Sequence, residues 1–141
     1  MKNCKILSHT ADIRVNVSAK TVEKLFVSAA SCLFELLTDT KAKPKITREI
    51  QLEAQNLEEL LVFWLNELIS IFYSFKFLPC SCKVTIEDSE ELKVLKAEIK
   101  GVDFDPYNNK HMKLEIKAAT YHNLKIEKNK KGFEVQIIFD V

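Results

Sequence analysis

The sequence predicts an α+β fold: a two-layer domain in which two helices pack on a largely antiparallel β-sheet. Apolar residues recur with helical spacing in two early segments, near residues 21–37 and 56–75. The segments around these two alternate between apolar and polar side chains, which is typical of half-buried strands. Helices early in the chain, followed by a run of strands, favour an α+β arrangement. The length of 141 residues fits one domain, residues 1–141.

The first elements are an extended segment and a helix. Residues 4–18 are predicted to be extended, with clean alternation from Ile13 onwards. Thr21 is suited to cap the first helix, which runs to about Leu37, and Glu23 lies near the positive end of its dipole. The apolar face of this helix consists of Val22, Leu25, Phe26, Ala29, Leu33, Leu36 and Leu37.

A second strand and the strongest helical pattern follow. Residues 46–54 alternate, and Asn56 with Glu59 forms a capping-box pattern at the start of the second helix. We expect Trp64 to lie in the core on the apolar stripe of this helix, and a ligand site centred on it is the less favoured alternative. The stripe consists of Leu57, Leu60, Leu61, Trp64, Leu68, Ile71, Phe72 and Phe75.

Only strand patterns follow Pro79, which is expected to interrupt the chain. Gly101 is predicted at a bulge or strand end, and Gly132 is suited to a left-handed position in a hairpin. The predicted strands lie near residues 81–87, 92–102, 112–119, 122–129 and 133–140.

The composition excludes several classes of function. Only two residues are glycine, and no glycine-rich phosphate loop or dinucleotide motif is present. A net charge of +1 and only two arginines argue against direct binding of nucleic acid. No secretory signal or membrane-spanning stretch is visible, so we expect a soluble, cytoplasmic protein with reduced cysteines. Cys80 and Cys82 lack the spacing and the histidine partners of a zinc site.

Carboxylates at two distant places could form a metal site. Asp12 lies where the first clean alternation begins, although aspartate is depleted in strands. Asp140 ends the last strand pattern and is followed by the α-carboxylate of Val141. Three such groups together would favour a hard cation such as Ca²⁺, Mg²⁺ or Mn²⁺. The simpler alternatives are an ion pair between Asp12 and Arg14, and a frayed polar chain end.

Histidines offer weaker candidates. His122 follows a tyrosine between two strand patterns, which allows ligand binding or acid–base chemistry, but an inert polar strand end is the favoured alternative. His111 is expected to be an exposed loop residue, and Asp39 a polar residue at the end of the first helix.

Five motifs in register resemble the archease family along the whole chain. They are His9-Thr10-Ala11-Asp12-Ile13, Leu37-Thr38-Asp39, the second-helix residues from Leu57-Glu58-Glu59-Leu60-Leu61 to Trp64-Leu65-Asn66-Glu67-Leu68, the late segment Glu115-Ile116-Lys117-Ala118 with Thr120-Tyr121-His122, and the ending Val135-Gln136 with Phe139-Asp140-Val141.

The resemblance implies an accessory protein rather than an enzyme. Archeases assist the RtcB-type tRNA-splicing ligase, which joins RNA ends using GTP and Mn²⁺. An activator would promote guanylylation of that ligase and its multiple turnover, so the partner is a protein and tRNA halves are involved only indirectly. The resemblance also implies a divalent-metal site at Asp12, Asp140 and Val141. His9, Asp39 and His122 lie in family motifs and are candidates for supporting the site or contacting the ligase.

The chain also departs from the family pattern. Arg14, Ala19 and Asn123 stand where relatives often carry glycine. The alternative functions are a metal-dependent hydrolase or phosphotransferase using Asp12, Asp140 and His122, and a chaperone-like binding module.

Overall fold

The computed structural model describes residues 4–9 and 12–141, and it describes only the main chain of Ser8 and His9. Two helices and eight strands are present in these parts of the chain. In chain order they are β1 (Cys4–His9), β2 (Asp12–Ala19), α1 (Val22–Leu37), β3 (Ile46–Ala54), α2 (Leu57–Ser74), β4 (Phe77–Asp88), β5 (Lys93–Asp103), β6 (Ala118–Thr120), β7 (Glu127–Asn129) and β8 (Gly132–Asp140).

The predicted α+β fold is confirmed, and its strands are divided between two antiparallel sheets. The first sheet has the order β1-β2-β8-β6, and β7 also pairs with β8. The second has the order β3-β5-β4. The first sheet joins strands from both ends of the sequence, because β2 lies beside β8 along its whole length. This pairing brings the polar ends of two distant segments together.

Both helices begin where their caps predict. The Thr21 hydroxyl accepts a hydrogen bond from the main-chain N–H of Lys24 at 3.1 Å. The Asn56 side chain accepts one from the N–H of Glu59 at 2.8 Å, and the Glu59 carboxylate accepts one from the N–H of Gln55 at 3.1 Å. These caps satisfy donors that lack a partner within the helix.

The core lies between the two helices and the inner faces of the sheets. α1 packs on β2 and β4, whereas α2 packs on β3, β4 and β6. Trp64 is fully buried, as predicted, and its indole N–H donates to the main-chain oxygen of Phe26 at 3.0 Å. Burying each large apolar side chain contributes roughly 1.5–3 kcal/mol before entropy is counted.

Pro79 does not interrupt the chain as predicted. It lies within β4, which begins at Phe77, and the register with β5 shifts between Pro79 and Ser81. A bulge tolerates proline because local ladder hydrogen bonds are already missing there. Gly101 pairs with Pro79 inside β5, where an added Cβ would clash with the main-chain oxygen of Leu78.

Two predicted strands are much shorter than the sequence indicated. Strands were predicted over residues 112–119 and 122–129, whereas the structure has only β6 (Ala118–Thr120) and β7 (Glu127–Asn129) there. The N–H groups of Ala119 in β6 and of Ile126 before β7 bond to side chains of α2. The strand-like sequence pattern of these segments therefore does not correspond to continuous strand pairing.

The expectation that the cysteines are all reduced is wrong for one pair. Cys4 and Cys32 form a disulfide that joins β1 to α1, with their Cα atoms 5.8 Å apart. Cys80 and Cys82 are free. Neither described helix is long and apolar enough to span a membrane.

Candidate functional site

Asp12 and Asp140 are direct cross-strand neighbours. They occupy opposite positions in the antiparallel register of β2 and β8. Opposite residues in such a pair have Cβ atoms about 4.5–5.5 Å apart and lie on the same face of the sheet. Because their neighbours Ile13 and Phe139 point into the core, the two aspartates lie on the outer face. The fold thus brings together two carboxylates that are 128 residues apart in the sequence.

Arg14 provides the compensating charge beside this pair. Its Nε lies 3.5 Å from Oδ1 of Asp12, and the side chains of Arg14 and Asp12 are 42% and 32% exposed. The ion pair foreseen between these two residues is therefore present. A solvent-exposed pair of this kind contributes about 0–1 kcal/mol. Arg14 is thus a weak competitor for a cation at Asp12.

Asp140 is also anchored through its main chain. Its carbonyl oxygen accepts a hydrogen bond from the N–H of Lys117 at 2.8 Å, and Ala118 of β6 lies opposite it in the register. The side chain of Asp140 is exposed, whereas Val141 is half-buried and packs against the core. Asp140 therefore stands between β2 and β6, with a fixed backbone and an accessible carboxylate.

The donor set suits a hard cation. Two aspartate carboxylates and the carboxylate of Val141 are oxygen ligands of the kind that Ca²⁺, Mg²⁺ and Mn²⁺ prefer. Within the described residues, no three side chains of His, Cys, Asp or Glu form a metal-binding group. The predicted set contains only two such side chains, and its third member is a main-chain carboxylate. Its role as a metal site stays a prediction.

The structure describes the His9-Thr10-Ala11-Asp12 motif only in part. The main chain of His9 pairs with Ile13 at the end of β1. The side chain of His9, together with Thr10 and Ala11, lies outside the described part of the structure. The supporting role predicted for His9 stays a prediction.

His122 lies in the turn that follows β6. Its N–H donates to the Thr120 hydroxyl at 3.4 Å, and that hydroxyl donates to the main-chain oxygen of Ile138 at 3.0 Å. The imidazole is exposed. Asn123 has a φ of 54°, so it adopts the left-handed conformation that glycine favours. Since Ala118 lies opposite Asp140 and Thr120 lies opposite Ile138, His122 follows the end of β6 that is farther from Asp140.

Asp39 belongs to a separate polar cluster that the sequence did not reveal. Its Oδ1 lies 3.3 Å from Nδ1 of His111, and its N–H donates to the His111 main-chain oxygen at 3.2 Å. The buried Thr38 hydroxyl donates to the same oxygen at 2.7 Å. His111 is therefore the partner of Asp39, and no local spacing signal could have linked residues 72 positions apart.

The two free thiols are poorly suited to metal binding or nucleophilic chemistry. Burial, with a smaller contribution from Cys80, raises the pKa of the Cys82 thiol to about 12. Partial burial of the thiol also raises the pKa of Cys80, although the residue as a whole is exposed. Since the thiolate is the reactive and ligating form, both groups are weak candidates near neutral pH.

Asn66 is a functional candidate that no sequence pattern indicated. Its amide bonds both polar main-chain atoms of Ala119 in β6, at 2.7 Å and 3.2 Å. Its place on the polar side of an amphipathic helix gave no sign of this partner, which lies 53 residues away.

The chain is similar to known proteins along its length. The model of the archease protein family matches residues 5–141. The archease of Methanosarcina mazei is 34% identical over 99% of this chain and 97% of its own length. The archease of Pyrococcus abyssi is 34% identical with full coverage of both chains, and that of Thermococcus kodakarensis is 36% identical over 91% of this chain and 90% of its own.

Solved structures share the fold. The solution structure of protein 1598 of Methanobacterium thermoautotrophicum has a TM-score of 0.83 at 24% identity, with full coverage of both chains. The 2.0 Å crystal structure of an archease from Thermotoga maritima, described as a possible chaperone, has a TM-score of 0.60 at 24% identity. That similarity covers 97% of this chain and 96% of the other.

Proposed function

This chain belongs to the archease family, and we propose that it activates an RtcB-type RNA ligase in tRNA splicing and RNA repair. In this proposal it promotes guanylylation of the ligase with GTP and allows repeated turnover, without catalysing a reaction itself. The observation that carries the proposal is the opposite placement of Asp12 and Asp140 on the outer face of the first sheet.

A divalent cation would be held by Asp12, Asp140 and the carboxylate of Val141. Two carboxylates facing each other across a strand pair repel, so a cation between them would offset a cost that the fold carries without one. When bound, the cation would supply positive charge and an electrophilic contact for an oxygen atom of the partner. Ca²⁺, Mg²⁺ and Mn²⁺ all fit these donors.

The roles of the surrounding residues follow from their positions. Arg14 holds the Asp12 carboxylate when no cation is bound. His122 is an exposed side chain near the end of β6, available for contact with the ligase. Asp39, whose side chain is also exposed, would contribute to a different part of that contact, and His9 would support the site from β1.

The partner in this proposal is a protein. A net charge of +1 gives little attraction for RNA phosphates, so tRNA halves would be held by the ligase. GTP would also be bound there, because this sequence contains no glycine-rich nucleotide loop. We place this activity in the cytoplasm, where the ligase would meet its activator.

The test is ligation by the cognate ligase under multiple-turnover conditions. RNA with a 2′,3′-cyclic phosphate end, a 5′-hydroxyl RNA, GTP and Mn²⁺ are supplied in excess over the ligase. We expect product to exceed the ligase concentration only when this protein is added. Asp12→Asn and Asp140→Asn should remove most of that gain while the proteins remain folded.

A matched control is Asp88→Asn, which removes an exposed carboxylate from the second sheet, where Asp88 pairs with Lys93. This variant should stimulate as well as the wild type. Full stimulation by Asp12→Asn and Asp140→Asn would contradict the role of the carboxylate pair. Absence of stimulation by the wild-type protein would contradict the activator function itself.

A chaperone-like module is the second candidate, because the Thermotoga maritima relative is described as a possible chaperone. Such a module would suppress aggregation of unrelated unfolded proteins. The Asp12→Asn variant would then suppress that aggregation as well as the wild type does. Light scattering of a thermally unfolded enzyme, with each protein added at equal concentration, separates the two functions.

A further inference from the structure

The side chain of Asn66 occupies the free edge of β6. Its Oδ1 accepts a hydrogen bond from the Ala119 N–H at 2.7 Å, and its Nδ2 donates to the Ala119 carbonyl oxygen at 3.2 Å. The amide group of Asn66 therefore satisfies both the N–H donor and the carbonyl acceptor of Ala119. This is the pattern that a neighbouring strand would otherwise supply.

Two further residues of α2 hold the main chain on either side of this contact. The Tyr73 hydroxyl accepts a hydrogen bond from the Ile116 N–H at 3.3 Å, and the Glu58 carboxylate accepts one from the Ile126 N–H at 3.0 Å. Residues 58, 66 and 73 are spaced about two helical turns apart and so share one side of α2. A row of polar side chains on the helix thus replaces a strand along residues 116–126.

This row passes beside the proposed cation site, between the contacts of Tyr73 and Asn66. β6 has only three residues, and its first residue, Ala118, lies opposite Asp140. The N–H of the preceding residue, Lys117, donates to the Asp140 carbonyl oxygen at 2.8 Å. The position of the Asp140 main chain therefore depends on where α2 places β6.

We propose that Asn66 is a positioning residue for the Asp12–Asp140 carboxylate pair. It fixes β6 through Ala119, and β6 in turn fixes the main chain from which the Asp140 carboxylate projects. The functional part of this inference rests on the proposed cation site. The other part, which we call the mechanical part, is that the hydrogen bond between Lys117 and Asp140 depends on Asn66. It is tested by a measurement that does not require a bound cation.

The loss of Asn66 should act locally. Ala119 is only 4% exposed, so water cannot readily replace the amide at its N–H and carbonyl oxygen. Buried main-chain groups without partners are costly, and the short strand can relieve that cost by moving away from β8. The hydrogen bond between Lys117 and Asp140 is then among the first to weaken.

The experiment uses the full chain and two variants at Asn66. Asn66→Leu has nearly the same size and removes both hydrogen bonds, whereas Asn66→Asp keeps an acceptor for the Ala119 N–H. The control is Trp64→Phe on the same helix, which removes the hydrogen bond to Phe26 of α1 and leaves both hydrogen bonds between Asn66 and Ala119 in place. All proteins are compared by NMR at a temperature where urea unfolding shows each to be folded.

The first readout is hydrogen exchange of the Lys117 amide without metal. We expect exchange to become about tenfold faster in Asn66→Leu and to change less in Asn66→Asp. Trp64→Phe should leave it within about twofold of the wild type once global stability is taken into account. Equal protection of Lys117 in the wild type and both Asn66 variants would overturn the positioning role.

The second readout is Mn²⁺ affinity by titration calorimetry. Asn66→Leu should bind about tenfold more weakly, as is common when a group that orients a metal ligand is removed, and Trp64→Phe should bind like the wild type. Wild-type affinity in a folded Asn66→Leu protein would overturn the functional part of the inference. If the wild-type protein itself binds no divalent cation, the proposed site fails, and Lys117 exchange alone decides the mechanical part.

Discussion

Replacing Asp140 by asparagine should have opposite effects on stability with and without a divalent cation. In the register of β2 and β8, Asp140 faces Asp12 directly. Like charges at such a position are destabilising, and cross-strand pairs contribute roughly 0.2–1 kcal/mol. Because Arg14 neutralises part of the Asp12 charge, we expect Asp140→Asn to stabilise the metal-free protein by about 0.5 kcal/mol.

The corresponding shift in Tm follows from chain length. At about 2.1 cal/mol/K per residue, 141 residues give an unfolding entropy of about 0.3 kcal/mol/K, so Asp140→Asn should raise Tm by about 2 °C. A cation at 100 times its Kd stabilises the wild type by about 2.7 kcal/mol, or about 9 °C, if it binds only the folded state. The variant should gain little from the cation, so the order of the two Tm values reverses.

The assay is thermal unfolding followed by circular dichroism, first in excess chelator and then across a Mn²⁺ or Ca²⁺ titration. Asp88→Asn serves as the control for loss of an exposed carboxylate and should respond to the cation like the wild type. Equal shifts for the wild type and Asp140→Asn would show that Asp140 does not bind the cation. A metal-free Asp140→Asn protein that melts well below the wild type would refute the repulsion.

Three further predictions concern individual residues. Arg14→Ala should free the Asp12 carboxylate and strengthen cation binding about two- to fivefold in calorimetry, whereas unchanged or weaker binding would contradict competition by Arg14. Gly132→Ala should destabilise the protein by about 1–3 kcal/mol in urea unfolding, because the residue has a φ of 139° and an added Cβ would clash with a main-chain oxygen of β2; wild-type stability would contradict this. Iodoacetamide at pH 8 should label Cys80 ahead of Cys82 in mass spectrometry, since burial raises the pKa of Cys82 to about 12 and Cys80 is exposed; the reverse order would contradict this burial.

Local signals predicted the helices well. Thr21 and Asn56 cap the helices as their side-chain chemistry indicates, and Trp64 is buried where the apolar stripe places it. β3 has the predicted bounds, Ile46–Ala54. These features depend on residues close together in the sequence, so composition and spacing carry the information.

Features that depend on distant contacts were harder to predict. The sequence pattern predicted strands over residues 112–119 and 122–129, but main-chain N–H groups there donate hydrogen bonds to Asn66 and Glu58 of α2 in place of some of the strand pairing. Pro79 is accommodated by a bulge opposite β5, which its local sequence does not encode. Similarly, the disulfide between Cys4 and Cys32 depends on how β1 lies against α1.

The candidate site shows the same division. Asp12 and Asp140 stand out in the sequence as carboxylates at strand ends, and the spacing of Asp12 and Arg14 allowed the ion pair to be predicted. The opposite placement of the two aspartates follows from strand register, which the 127 intervening residues determine through the whole fold. His111 remained unrecognised as the partner of Asp39 for the same reason.

Activation of the ligase is tested most directly by the amount of guanylylated ligase formed from radiolabelled GTP at increasing concentrations of this protein. We predict that the wild type and Asp88→Asn raise the rate of guanylylation with saturation, and that an Asp12→Asn, Asp140→Asn double variant has little effect while remaining folded. Equal stimulation by the double variant would contradict the requirement for the carboxylate pair in activating the ligase. No stimulation by the wild type would contradict its assignment as a ligase activator.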